Sequence, residues 1–161
     1  MTADRETFLA TYGPLFEHSP WVAEAAYERG PFDDEEQVLT ALTTAMYEAP
    51  EERQLALIRA HPDLAGRAAI AGELTPDSTR EQAAAGLDRL TPDEYEAFTR
   101  ANAAYRERFG FPFVICAREH DKASILAAAE ARLRREPDEE RAAALDEIAK
   151  IARLRLEDLP R

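Results

Sequence analysis

Apolar residues recur along this chain at spacings of three and four for nearly its whole length, the pattern of helices that each bury one stripe. Trp21, Val22, Ala25 and Ala26 share one face of an early segment, with Ser19 as its N-cap, Pro20 at the first helical position and Gly30 as its stop. Asp33 or Asp34 opens the next, which carries Val38, Leu42, Ala45 and Met46. A short helix follows Pro50 and turns Leu55 and Ile58 inward. It ends near His61, because a residue that precedes proline is pushed out of the helical region. Residues 62–77 read as irregular, broken by Gly66, Gly72 and Thr75-Pro76. Ser78 and Glu81 read as an S-x-x-E capping box ahead of an alanine-rich helix. Thr91 and Glu94 form a second box, for a helix with Tyr95, Phe98, Tyr105 and Phe109 that closes at Gly110. The apolar run FPFVICA (111–117) fits a strand, a buried loop or the start of a helix. Two amphipathic helices follow, one with Ile125, Leu126, Ala129 and Leu133, the other with Leu145, Ile148, Ala152 and Leu156, and Pro137 parts them. The pattern predicts an all-α fold, a single compact domain over residues 1–161 with about seven to nine helices.

Composition narrows the function classes. No apolar run approaches the roughly 20 residues that span a bilayer, so no membrane partner is expected. The start, MTADRETF, lacks the basic and apolar regions of a secretory signal. The single cysteine, Cys116, cannot form an intrachain disulfide and suits a reducing compartment, so a cytoplasmic protein is expected. Thirty-two acidic against 20 basic residues give a net charge of −12, which repels phosphate backbones, and nucleic acid is not an expected partner. The acidic runs DDEE (33–36) and PDEE (137–140) read as solvated surface. An anionic ligand would therefore need a local cation.

Candidate chemistry is sparse. There is no G-x-G-x-x-G, no G-x-x-x-x-G-K and no H-E-x-x-H, and the histidines 18, 61 and 120 are too scattered to suggest zinc. His18 and His120 adjoin charged residues and read as exposed or capping. His61, in RAHPDLAG, stands where a helix gives way to an irregular stretch, a place suited to reactive side chains and equally to a structural histidine. Ser78 and Glu81 read as a capping pair with a functional role still open, Gln82 fits a surface helix position, and Cys116, a nucleophile in principle, reads as a packed thiol. Arg118 follows the apolar run directly and either reaches outward or awaits an anion that its planar fork would suit. Asn102 shares the face of Phe98 and Tyr105, and a buried amide there would tie backbone groups near the apolar run.

Taken in order, the segments FEHSPWVAEAAY (16–27), LIRAHPDLAG (57–66), LTPDSTREQAAAGLDRLTPDE (74–94) and NAAYRERFGFPFVICAR (102–118) closely resemble one family. It is that of the 2-oxo-4-hydroxy-4-carboxy-5-ureidoimidazoline decarboxylases of urate breakdown. The last two helices match it only in helical character. The resemblance implies an all-α enzyme, a carboxy-lyase without cofactor or metal, that turns the ureidoimidazoline carboxylate into (S)-allantoin, and some members are homodimers. It implies His61 and Glu81 as catalytic residues. Substrate contacts are implied for Pro62, Ser78 and Gln82, for the run Phe113, Val114, Ile115, Cys116 and Ala117 through backbone groups, and for Arg118 as the anchor of the anion. Glu81 would bind ureido N–H groups, or would hold His61 in one tautomer and raise its pKa. His61 would protonate carbon or act on the hydroxyl. The alternative is a helical small-molecule-binding module that keeps the pocket without turnover.

Overall fold

The structure is a computed structural model that describes residues 4–66 and 72–160. These form eight α-helices and two 3-10 turns, with no strand among the described residues. In chain order they are α1 (Arg5–Tyr12), a 3-10 turn (Gly13–Leu15), α2 (Trp21–Tyr27), α3 (Glu35–Tyr47), α4 (Glu51–Arg59), α5 (Pro76–Ala84), α6 (Pro92–Phe109), a second 3-10 turn (Ala117–Glu119), α7 (Lys122–Arg132) and α8 (Pro137–Glu157). The apolar stripes become one core, to which every helix but α5 supplies buried apolar side chains. The long C-terminal helix α8 packs against α3, α4 and the first 3-10 turn, while α5 packs on the second.

Most of the local signals act where the sequence places them. Asp34 caps α3 by accepting from the Gln37 N–H, Thr91 and Glu94 close a reciprocal box at α6, and Gly110 ends α6 at φ +78°. Helix α1, which the apolar pattern does not mark, is short and capped by Asp4. Helix α2 starts one residue later than Ser19-Pro20 suggests and stops at Tyr27, short of Gly30; the Ser19 hydroxyl donates to the Glu17 carbonyl instead of capping.

Three further readings are overturned. The first is the capping box at Ser78 and Glu81. Thr75 caps the helix, with Pro76 at the first helical position, so α5 begins a turn earlier and both side chains are released for other contacts. The second is the solvated acidic run, because Glu140 is 0% exposed and bonded to Tyr105 and Arg132. The third is Asn102, whose amide donates to the Leu64 carbonyl and so ties the turn after His61 rather than the apolar run. That run, 111–117, is a buried non-helical segment up to Ala117. The irregular reading of 62–77 holds at 62–66 and 72–75, and residues 67–71 lie outside the described residues.

Candidate active site

Helix α5 buries Ser78 and Gln82, two polar residues where an amphipathic helix would present an apolar stripe. They face a small cavity that opens to solvent on one side. Its walls are His61, Pro62 and Leu64 after α4, Ser78, Glu81 and Gln82 from α5, Phe113, Val114, Ile115 and Ala117 from the apolar run, and Ile151 and Arg155 from α8. Segments far apart in sequence thus meet at one place. Two residues expected there are not among the walls. Cys116 is buried as a packed thiol, and burial pushes its pKa up to about 11. Arg118 pairs at 2.5 Å with Asp158, and both side chains are partly exposed.

The cation in the cavity is Arg155, with a side chain only 3% exposed. Its Nε donates to Glu81 Oε2 and one Nη2 hydrogen to Glu81 Oε1, both at 2.8 Å, while Nη2 also donates to Glu17 Oε1 at 2.8 Å. Its Nη1 meets the Pro14 carbonyl at 3.5 Å. Periodicity contains a signal for Arg155 that the motif reading passes over. Residues 140, 144, 148, 151 and 155 lie on one buried stripe of α8, so both Glu140 and Arg155 stand at core positions. A charged residue on such a stripe must be paired. No comparable period marks Glu17.

His61 Nδ1 lies 3.0 Å from the Leu57 carbonyl. A carbonyl can only accept, so Nδ1 carries the proton and Nε2 keeps its lone pair. Burial lowers the His61 pKa to about 4, against the Leu57 bond and the Glu17 charge, which favour the imidazolium. Near neutral pH this is a neutral imidazole. Leu57, rather than Glu81, holds its tautomer, and the pKa is lowered, not raised.

The walls are themselves braced. Gln82 accepts from the Ala65 N–H at 2.9 Å and donates to the Asp63 carbonyl at 3.3 Å, so its amide clamps the turn after His61 together with Asn102. Ala65 is held there at φ +56°, unusual for a residue with a Cβ. On the opposite wall, Arg132 donates to the Val114 carbonyl at 2.7 Å, lies over the Phe113 ring and pairs with the buried Glu140. Glu147 accepts from the Cys116 N–H at 3.0 Å. Among the described residues, no comparable bond holds the Phe113 or Ile115 peptide groups. No cluster of three His, Cys, Asp or Glu side chains suited to a metal ion occurs among the described residues, and no helix there is long and apolar enough to cross a membrane.

Comparison with known proteins agrees with this architecture. The family model described as OHCU decarboxylase matches residues 1–157. A 2-oxo-4-hydroxy-4-carboxy-5-ureidoimidazoline decarboxylase from Haloferax volcanii is 44% identical over 153 residues, covering 95% of this chain and 89% of the relative. A crystal structure of OHCU decarboxylase in the presence of (S)-allantoin superposes with a TM-score of 0.73 at 25% identity and covers 96% of each chain. A crystal structure of (S)-allantoin synthase gives a TM-score of 0.76 at 29% identity, with 96% of this chain matched to 50% of that one. Matched in sequence along nearly its whole length, and in the fold that gathers His61, Glu81 and Arg155, this chain belongs to the OHCU decarboxylase family.

Proposed function

We propose that the protein decarboxylates 2-oxo-4-hydroxy-4-carboxy-5-ureidoimidazoline to (S)-allantoin, a step of urate breakdown, in the cytoplasm, with the whole chain as the catalytic unit. The observation that carries this reading is a neutral histidine beside a buried, carboxylate-bound arginine in a small-molecule cavity, in a chain of this family.

The name of the substrate states its chemistry: a ring carbon bears both hydroxyl and carboxyl, next to the carbon that bears the ureido group. When the bond to the carboxylate breaks, its electron pair becomes a ring double bond and the neighbouring C=N pair moves onto nitrogen, which takes up one proton from solvent. Carbon dioxide leaves and an enol remains. The enol hydroxyl then yields its proton to His61 Nε2, and the imidazolium returns it to the ureido-bearing carbon on one face, giving the ketone and the C–H of allantoin. The substrate is its own electron sink, so the reaction calls on no pyridoxal or thiamine group. An imidazolium whose pKa burial holds near 4 parts with its proton readily, which suits delivery to carbon.

Arg155 takes the anchoring role expected of Arg118, because it is the arginine that lines the cavity. Its Nη1 is the end not engaged by a carboxylate. Pro62 and Ile151 supply apolar walls that shed water from the reacting carbon, and the Phe113 and Ile115 peptide groups supply directional bonds. The test is to generate the unstable substrate in situ and follow its loss optically, with circular dichroism for the hand of the product. Wild-type protein accelerates the decay and gives one enantiomer. His61→Asn, which donates a hydrogen bond but cannot carry a proton between atoms, loses about 10²–10⁴-fold in rate, and its product approaches the racemic background. Wild-type protein that binds allantoin without accelerating the decay is a binding module, and the reading fails.

A further inference from the structure

We propose that Glu17 is a positioning residue that fixes the polarity of the Ser78 hydroxyl, so that this corner of the cavity receives N–H groups and selects the ureido end of the substrate. The inference rests on the decarboxylase reading and deepens it. Glu17 lies in FEHSPW, between the first 3-10 turn and α2, and nothing in the chemistry above uses it. It is buried, and its Oε1 accepts from Ser78 Oγ at 2.7 Å, Thr75 Oγ1 at 2.8 Å and Arg155 Nη2 at 2.8 Å.

A serine hydroxyl has one proton, and an ionised carboxylate can only accept. The Ser78 proton is therefore committed to Glu17, and only oxygen lone pairs remain for a ligand. Arg155 Nη2, 3.4 Å from Ser78 Oγ, already approaches that oxygen as a donor. Burial opposes the charged form of Glu17, but the Ser78 bond, the Arg155 charge and the Thr75 bond outweigh it and keep the carboxyl below its ordinary range. Glu81, the neighbouring wall, is also a carboxylate. Two acceptors side by side suit the N–H groups of a urea. A carboxylate or ring carbonyl at Ser78 would face oxygen lone pairs, beside two carboxylates whose charge the single Arg155 guanidinium only half offsets and whose bonds already occupy its Nε and Nη2. This polarity turns the ligand one way round, which a site that merely encloses the ring could not do.

The experiment compares (S)-allantoin with hydantoin, the same ring without its ureido arm, by calorimetry on the full chain. Glu17→Gln can donate its amide N–H to Ser78 and so frees the hydroxyl proton to turn into the cavity. Ser78→Ala removes the acceptor and leaves the Glu17–Arg155 pair in place. Wild-type protein prefers allantoin, and each variant loses about tenfold of that preference, the equivalent of one hydrogen bond, while hydantoin affinity stays within about threefold. A folded Glu17→Gln protein with the wild-type preference overturns the assignment. So does a uniform loss of both affinities with a lowered Tm, which is what a purely structural glutamate would give. Should Glu17→Gln fail to fold by far-ultraviolet circular dichroism, Ser78→Ala decides alone. Absence of turnover in wild-type protein refutes the decarboxylase reading, whereas normal turnover with the preference intact in both variants refutes only the role of Glu17.

Discussion

Replacing Arg155 by lysine separates a planar fork from a point charge at a site where the geometry is known. Arg155 makes three contacts of 2.8 Å to two carboxylates, with its own side chain 3% and the carboxylate side chains 2% and 12% exposed. A single ammonium cannot span both oxygens of Glu81 and also reach Glu17, so at least one charged bond is lost and the others are strained. Hydrogen bonds to charged groups contribute about 1.5–3 kcal/mol each. Deleting one partner of a buried pair costs about 3–5 kcal/mol, and lysine keeps the charge, so Arg155→Lys should cost about 2–3 kcal/mol of stability. The same change removes the Nη1 end that no carboxylate engages, and kcat/KM should fall by about 100-fold, since about 2.7 kcal/mol of transition-state binding corresponds to that factor. Arg118→Lys is the internal comparison. Its partner Asp158 has a side chain 48% exposed, and such surface pairs contribute about 0–1 kcal/mol. Urea denaturation and initial rates on both variants decide the matter. An Arg155→Lys protein within about 1 kcal/mol and threefold of wild type refutes the reasoning, as does a loss of activity confined to Arg118→Lys.

Two further outcomes follow from the wall that joins α4 to the turn. The folded His61 pKa of about 4 lies below that of a free histidine, so the unfolded chain takes up the proton first. Stability from this group is full above about pH 6.5 and is lost as pH falls toward 4, by up to about 3 kcal/mol. Between pH 7.5 and 4.5 wild type should therefore lose about 2 kcal/mol more than His61→Asn in urea titrations, and equal losses would show that the histidine is not held neutral. At Ala65, glycine relieves about 1–2 kcal/mol of left-handed strain, offsetting the lost methyl burial and the added chain entropy. Ala65→Gly should then be within about 1 kcal/mol of wild type, whereas Ala152→Gly, inside α8 and fully buried, should cost about 2 kcal/mol. Equal costs at the two positions would mean that φ at Ala65 is unstrained.

The sequence alone determined the helical class, because periodicity, proline at helix starts and the caps at Asp34 and Thr91 act within a few residues. Short motifs also carried the family and most of the cavity, since HPDLAG, S-x-x-E-Q and FPFVICA each reach it as contiguous pieces. Wherever a side chain's role depends on a partner far along the chain, tertiary structure decided. Ser78 and Glu81 satisfy a capping pattern as well as a site, and only the placement of Thr75 as the cap released them to meet Glu17 and Arg155. Glu140 sits in an acidic run like any solvated one, but α8 turns it inward to Arg132 and Tyr105. The motifs point to Arg118 as the anchor and do not reach Arg155. Folding pairs Arg118 with Asp158 at the surface, while α8 carries Arg155 on its buried stripe into the cavity. Charge and residue type are local properties, whereas burial and pairing belong to the folded chain, and it is burial that gives a charge or an imidazole its chemistry.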